Sequence, residues 1–263
     1  MDLAVYDAPE QIEAIWRRLE LVARSPYTLS WGWIENWLAS LDDQPSLAVI
    51  HDDGGDPIAA AFEDMPVLRA PAFPTLGIST DDFLVIVDRE VATAHVDLEI
   101  VRAVEGGYIS TRPAALRAQL LHTRLQTGEL EVEATTDVPR AHAFMDELLD
   151  LEGAPDRPMF RRLIDRRAPC GEIQLLRVRA GDATIGCFYN VTWHEHVAYQ
   201  LAGFASSADA DLCHAAAIEY NAACGGAFYE LRPDDMRLAT GETRHLSLRL
   251  LRRSPGMLSR LVG

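Results

Sequence analysis

The residues best suited to proton transfer lie towards the carboxyl end of the chain. Glu230 and Asp234 flank the end of a predicted strand, where a carboxylate can act as a base or bind an amine. Tyr229, and Tyr199 in an earlier strand, can each serve as an acid. The carboxylates can equally be surface charges, and a tyrosine in a sheet more often packs in the core with its hydroxyl satisfied. These residues are the candidate catalytic groups.

Further polar residues stand where a ligand could use them. Asn190 and Gln200 interrupt otherwise apolar strands, and a buried amide demands partners, so both are candidate substrate-binding residues. His194 and His196 share a face of an extended segment and could hold a metal, but an exposed turn is the favoured interpretation, and we expect no metal site. The sequence has no Ser-His-Asp set, phosphate loop or dinucleotide fingerprint.

Three short strands must position these residues. Residues 173–178, 184–193 and 197–201 are rich in branched and aromatic side chains and predict strands. The connections contain Gly181 and the polar run from His194, which favour tight turns. Three strands joined by two short turns predict an antiparallel meander.

A helix and further strands follow the meander. Residues 209–223 place apolar side chains at helical spacing, Ser207 or Asp209 can cap the first turn, and Gly225 ends the helix. Residues 227–231 and 246–251 predict later strands. Strands combined with a helix that returns to the same sheet indicate an α+β fold.

The rest of the chain alternates helical and strand patterns. Trp31, Trp33 and Trp37 stand close together, where they can line a groove or, the favoured interpretation, pack against a sheet. The predicted helices are 9–19, 30–41, 93–105, 114–121, 140–151 and 160–167, and the predicted strands are 1–7, 46–50, 57–62, 82–87, 108–110 and 129–134.

Composition excludes several classes of function. The 263 residues carry a net charge of −16, which disfavours broad binding to nucleic acid. The arginines at 161, 162, 166 and 167 form the densest basic cluster, which we interpret as a solvated helix face paired with acids. All 24 basic residues are arginine, so Schiff-base chemistry and a lysine base are excluded.

The cysteines and the N-terminus predict a cytoplasmic location. The 4 cysteines are scattered and lack metal-binding spacing, so we expect free thiols in a reducing compartment. The first residues are acidic and contain no apolar core of signal-peptide length. No run approaches the roughly 20 apolar residues that a membrane span needs.

Short motifs in a fixed order resemble one family across most of the chain. The segments are 25–27, Trp33, Trp37, 82–84, 160–163, 173–179, 181–182, 185–187, 199–204, 214–218 and Tyr229. In these residues and their order the chain resembles GNAT-like acyltransferases of the CelD (cellulose-biosynthesis) type, which are distant cousins of the Fem peptidoglycan aminoacyltransferases.

The resemblance implies a mixed, largely antiparallel GNAT-like sheet with helices on both faces. It also implies two tandem GNAT-like halves, a non-catalytic one over residues 1–135 and a second over residues 136–263. The implied reaction is transfer of an acyl group from acyl-CoA, in the first place acetyl-CoA, to an amine of a small molecule or amino sugar. A protein partner in a biosynthetic complex is left open.

The family also assigns positions to its ligands. The thioester would lie beside the end of the last meander strand, along Leu201, Ala202, Gly203 and Phe204. The pyrophosphate would lie at the N-terminus of the following helix, at Ser206 and Ser207, where free N–H groups favour anions. In the first half, Asp82 matches an acidic family position that would help shape the substrate cleft; capping a helix or a turn is the other interpretation.

One segment departs from the family pattern. Residues 206–211 lack the glycines usual at the start of this helix and contain Asp209 and Asp211, whose charges would repel a pyrophosphate. The family's later segment, an acidic strand followed by Gly…Tyr-Lys, is also altered over residues 229–235, and the chain has no lysine. A catalytically degenerate binding or scaffold protein is therefore an alternative, and an aminoacyl-tRNA-dependent transferase of Fem type is a third that the acidic charge disfavours.

Overall fold

A computed structural model describes residues 2–23, 25–63, 65–71, 73 and 83–252. The chain has a mixed α+β fold with two sheets. It divides into two compact units, Met1–Val91 with Arg244–Gly263, and Ala92–Thr243.

The first unit contains a four-stranded sheet in the order β1-β2-β3-β4, antiparallel throughout. Its core includes Trp16 stacked on Phe62 at 5.4 Å between ring centroids. Trp31 is buried, and Trp33 and Trp37 pack against the same core, so the favoured interpretation of these tryptophans is confirmed. Its elements are β1 (Asp2–Tyr6), α1 (Pro9–Glu20), α2 (Trp31–Leu38), β2 (Leu47–His51), β3 (Pro57–Ala61) and β4 (Leu68–Arg69).

The helix predicted over residues 93–105 is wrong. A strand, β5 (Phe83–Asp97), occupies its first part, and only α3 (Leu98–Ala103) is helical, beginning where Asp97 accepts hydrogen bonds from two helix N–H groups. Residues 94–97 pair with β10 (Phe228–Leu231), more than 130 positions away. A helical spacing of apolar residues was overridden by this long-range pairing.

The short strand predicted at 108–110 is also wrong. These residues form the short helix α4 (Gly107–Ser110), and Gly106 and Gly107 at its start have positive φ values of 86° and 64°. The helix that follows, α5 (Ala114–Thr127), runs one and a half turns beyond its predicted end.

The seven-stranded sheet has the order β11-β5-β10-β9-β8-β7-β6, and its strands β6 to β10 lie wholly in the second unit. The predicted meander is confirmed, since β7, β8 and β9 pair antiparallel in sequence order. The pair of β9 with β10 is parallel, so the sheet is mixed. Its remaining strands are β6 (Leu130–Thr135), β7 (Ile173–Ala180), β8 (Ala183–Trp193), β9 (His196–Phe204) and β11 (Gly241–Arg252).

Helices cover both faces of this sheet. The helix α6 (Val138–Glu152) lies so close to β9 that a Cβ on Gly203 would be 2.5 Å from the Leu148 carbonyl oxygen. On the other face, a Cβ on Gly186 would be 2.7 Å from Cys213 Sγ of α8 (Ser207–Ala223). The helix α7 (Pro158–Arg167) joins α6, and α3 and α5 pack on α8. In the described part of the chain, no helix is long and apolar enough to cross a membrane.

Candidate functional site

The strands β9 and β10 separate soon after they begin to pair. Their parallel register runs from Phe228 opposite His196 to Glu230 opposite Ala198. Beyond that point β10 ends at Leu231, whereas β9 continues to Phe204. Two parallel neighbours therefore part at the middle of the sheet and leave one edge of β9 without a strand beside it, among the residues described.

A β-bulge at Gln200 accounts for the separation. Tyr199 lies opposite Asn190 and Leu201 lies opposite Tyr189, so Gln200 has no counterpart on β8. An extra residue bends the strand that carries it and increases its twist. The bulge lies two residues after Ala198, the last residue of β9 that pairs with β10. A bend at this position can direct the rest of β9 away from β10.

The main-chain groups of Ala202 and Phe204 face the edge that β10 leaves. The N–H of Ala205 donates to the Ile185 carbonyl at 3.0 Å, so this pair is of the hydrogen-bonded type. Antiparallel pairs alternate in type, and Phe204 and Ala202 occupy the alternate positions opposite β8. Their N–H and C=O groups point away from β8 and can bind a ligand that lies along the strand.

The N-terminus of α8 follows the end of β9 after two residues. Ser206 caps it by accepting the Asp209 N–H at 3.3 Å and donating its hydroxyl to the Asp209 carboxylate at 2.6 Å. Asp211 turns inward, is 7% exposed, accepts from Gln119 at 3.3 Å and pairs with Arg237. Of the two acids expected to repel an anion, one is therefore neutralised by an arginine and only Asp209 stands at the helix start.

A phenol and a carboxylate meet where β9 and β10 separate. Tyr199 is the first residue of β9 beyond the last β10 pair, and its hydroxyl donates to Asp235 Oδ2. Asp235 lies in the 3₁₀ segment Pro233–Leu238, which follows β10. The ring of Tyr229 stacks on that of Tyr199 at 6.3 Å, and its fully buried hydroxyl has no hydrogen-bond partner among the described residues.

His214 lies against the same pair of residues. Its Nε2 is 3.9 Å from Asp235 Oδ2, and its ring is 5.0 to 5.3 Å from the rings of Phe188, Tyr199 and Phe204. Burial lowers the pKa of His214 to about 4, although Asp235 opposes the shift. Burial, reinforced by the hydrogen bond to Asp235, raises the pKa of Tyr199. At neutral pH both rings are therefore uncharged.

The other predicted catalytic residues lie outside this cluster. Glu230 alternates with Tyr229 along β10 and so points to the opposite face of the sheet, where His196 Nδ1 is 2.9 Å from its Oε1. Asp234 is exposed. The structure thus brings Tyr199 and Tyr229 together and leaves Glu230 and Asp234 apart from them.

The predicted substrate-binding residues have three different settings. Asn190 lies opposite Gln174 and Tyr199 on the face towards α8, is fully buried, and neither polar atom of its amide has a partner in the part of the chain described. Gln200 is the half-buried bulge residue. Asp82 lies outside the described residues.

The ligand-binding residues predicted from the resemblance lie along β9 and the start of α8. Leu201 and Gly203 occupy hydrogen-bonded positions opposite β8, so only Ala202 and Phe204 present free main-chain groups. A Cβ added at Gly203 would point into α6, so this glycine lets the strand and the helix pack closely. Ser206 and Ser207 stand at the N-terminus of α8 as predicted.

Sequence reasoning overlooked Asp235 and His214. Asp235 stands beside Asp234 in an acidic turn, and nothing local distinguishes one from the other. His214 did carry a signal, since it interrupts an apolar helix face among alanines, and a polar residue at such a position needs a partner.

Comparisons with known proteins agree with the fold. Residues 112–238 match the family model described as an acetyltransferase (GNAT) domain. The chain has no match among the curated proteins.

Three solved structures are similar over nearly their whole length. FemX has a TM-score of 0.54 at 8% identity, with 100% of this chain and 99% of FemX covered. A conserved protein of unknown function from Bacteroides thetaiotaomicron has a TM-score of 0.52 at 12% identity, covering 96% and 100%. L-PGS from Bacillus licheniformis has a TM-score of 0.50 at 10% identity, covering 97% and 95%. At these identities the likeness shows the fold alone. The chain therefore has a GNAT-like fold, and its residues 112–238 are similar to an acetyltransferase (GNAT) domain.

Proposed function

We propose that this protein transfers an acyl group from acyl-CoA, in the first place acetyl-CoA, to the amine of a small molecule or amino sugar. The observation that carries the proposal is the separation of β9 from β10, which turns the main-chain groups of Ala202 and Phe204 outward. The pantetheine arm of CoA contains amides, which can pair with those groups as a strand would. CoA would supply the activated acyl group as a thioester.

The start of α8 supports the same placement. A helix N-terminus carries free N–H groups and a positive dipole end, which favour the pyrophosphate of CoA. It follows β9 within two residues of Phe204, so one ligand can contact both. The contact of Asp211 with Arg237 removes one of the two charges that would oppose this binding.

Two substitutions test where the donor binds. Ala202→Pro removes an N–H that is not used in pairing with β8, and proline is tolerated where its nitrogen faces the free edge of a strand. We expect acetyl-CoA binding, measured by titration calorimetry, to weaken about 5- to 10-fold, the value of one hydrogen bond. An unchanged dissociation constant with an unchanged unfolding midpoint would contradict the proposed edge.

Asp209→Asn should have the opposite effect. Removing a carboxylate about 5 Å from a phosphate relieves roughly 0.8 kcal/mol of repulsion in water, which tightens binding about 4-fold. Asp150→Asn is the matched control, because Asp150 is an exposed carboxylate on α6. Equal effects of both substitutions would show a response to net charge rather than to this helix.

Turnover separates the proposed function from its alternatives. Release of free CoA thiol from acetyl-CoA in the presence of glucosamine would support acyl transfer. If acetyl-CoA neither binds nor reacts, the protein is better described as a degenerate GNAT-like binding or scaffold protein, which the acidic start of α8 favours. Binding of aminoacyl-tRNA at low salt would instead indicate a Fem-type reaction, despite the net charge of −16.

We infer kinship with CelD-type acyltransferases from the motif order described above. We also infer a cytoplasmic location, supported by the four cysteines, all of which are free thiols.

A further inference from the structure

The hydrogen bond between Tyr199 and Asp235 spans the opening between β9 and the chain that follows β10. Tyr199 directly follows the last residue of β9 that pairs with β10, and Asp235 follows the end of β10 by four residues. A donor held along Ala202 and Phe204 would have its acyl end directed towards this point, where the two strands part. The phenol and the carboxylate are therefore the first proton-carrying groups that the thioester would meet.

Three neighbouring side chains surround the Asp235 carboxylate. Arg237 Nη1 is 3.7 Å from its Oδ1, and Tyr199 and His214 approach its Oδ2. The side chain is 19% exposed, so one side of it can still be reached from solvent. The other charged group on this part of α8, Asp211, is already paired with Arg237, and Arg232 is near enough to Tyr199 to oppose the rise in its pKa.

We propose that Asp235 and Tyr199 are the proton-transfer pair of this site, with His214, whose ring packs against Tyr199 and lies beside the carboxylate, as a positioning residue. This inference rests on the proposed acyl-transfer function and names the residues that perform it. Asp235 thus takes the role predicted for Glu230, which faces the opposite side of the sheet, and for Asp234, which is exposed to solvent.

Acyl transfer moves two protons from the acceptor nitrogen. The acceptor ammonium loses one proton to solvent to become a neutral amine, whose nitrogen lone pair forms the C–N bond with the thioester carbonyl carbon. Asp235 takes the second proton from that nitrogen. The C–S bond then breaks, the thiolate takes the phenolic proton of Tyr199, and Tyr199 takes the proton that Asp235 holds. The products are the amide, the free thiol and one proton released to solvent.

The phenol needs the carboxylate for this role. Burial and the charge of Asp235 raise the pKa of Tyr199, whereas an ordinary thiol has a pKa of about 8.5. Tyr199 acting alone would hold its proton against the thiolate. Once Asp235 has accepted the amine proton, the transfer through Tyr199 amounts to protonation of the thiolate by a carboxylic acid, which is favourable.

Substitutions that remove one proton carrier each test the pair. With acetyl-CoA as donor and glucosamine as acceptor, Asp235→Asn and Tyr199→Phe should each lower kcat by at least about 100-fold, with the dissociation constant of acetyl-CoA changed less than about 3-fold. The double variant should be no slower than either single one, because residues that act as a unit are not additive. Asp235→Glu should recover part of the loss, and Asp150→Asn serves as the control.

His214 is tested through the pH profile. His214→Phe keeps a ring among the aromatic side chains and removes the contact with Asp235. We expect the acid limb of kcat/KM to move, whereas a purely structural role would leave the profile in place and change only stability.

These experiments distinguish failure of the proton-transfer pair from failure of the proposed acyl-transfer function. Retention of more than a tenth of kcat in Asp235→Asn, additive losses in the double variant, or a larger loss in Glu230→Gln or Asp234→Asn would overturn the pair while leaving acyl transfer standing. Binding of acetyl-CoA without transfer to glucosamine or to other primary amines would overturn the pair and leave the donor site. Absence of both binding and transfer in the parent protein would overturn the proposed function and this inference together.

Discussion

Replacing Asn190 by leucine should stabilise the protein and weaken its function at the same time. Asn190 is fully buried on the face of the sheet towards α8, opposite Gln174 and Tyr199. Neither its Nδ2 nor its Oδ1 has a hydrogen-bond partner among the described residues, and Oε1 of Gln174 shares this condition. Such an amide lowers stability unless a ligand or water satisfies it.

The substitution should increase stability because it removes an amide that has no hydrogen-bond partner among the described residues. Leaving a buried polar group without a partner costs about 1–3 kcal/mol, and leucine is close to asparagine in size, so little strain offsets the gain. We expect the free energy of unfolding to rise by about 2 kcal/mol. At roughly 2–4 °C per kcal/mol for a unit of this length, the unfolding midpoint should rise by about 4–8 °C.

Denaturant and thermal unfolding measure this change, and steady-state kinetics with acetyl-CoA and glucosamine measure its functional cost. If the amide binds the acceptor, KM for glucosamine should rise about 10-fold. Asn221→Leu is the matched control, because that buried amide already donates to the Ala217 carbonyl at 2.8 Å, and we expect it to lose about 1 kcal/mol. If Asn190→Leu lowers stability by more than about 1 kcal/mol, the amide is satisfied in solution, by Gln174 or by a buried water, and the reasoning fails.

Three further predictions concern the packing around the site. His214→Phe should abolish a loss of stability at acid pH, measured by denaturant unfolding at pH 7.5 and 4.5. Burial lowers the pKa of His214 from 6.5 to about 4, so the unfolded chain binds a proton that the folded chain does not. The free energy of unfolding of the parent should therefore fall by about 3 kcal/mol as the pH falls from 6.5 to 4. Gly203→Ala should destabilise by about 3 kcal/mol in the same assay, because the new Cβ would lie 2.5 Å from the backbone oxygen of Leu148. Arg112→Met should cost about 2–3 kcal/mol, read from the thermal midpoint, because the guanidinium donates at 2.9 Å to the carbonyl of Leu238 at the end of the 3₁₀ segment and to the next carbonyl.

Each of these predictions has a contrary result. Equal pH dependence in His214→Phe and the parent would place the responsible proton elsewhere. Gly54→Ala is the control for Gly203→Ala, since its new Cβ would meet only a flexible side chain in an exposed turn; similar losses in both would point to backbone entropy rather than to helix contact. A neutral Arg112→Met variant would show that other contacts hold the 3₁₀ segment.

Local sequence chemistry determined much of the fold. Alternating apolar residues and two short polar turns were enough to predict the meander, since Gly181 supplies the positive φ of its first turn. Helical spacing predicted α8 to within two residues of its start, although Ser206, rather than Ser207 or Asp209, caps the helix. These features depend on neighbours along the chain, which the sequence shows directly. The same holds for the chemistry excluded by the absence of lysine.

Tertiary structure alone decided which residues meet. The strand β5 overrides a helical pattern because it pairs with β10 from a distant part of the chain. The bulge at Gln200 exists only relative to β8, and the choice of Asp235 over Asp234 depends on which carboxylate the 3₁₀ segment turns towards Tyr199. Strand register and side-chain direction are set by contacts between segments far apart in sequence. A local sequence pattern therefore cannot predict them.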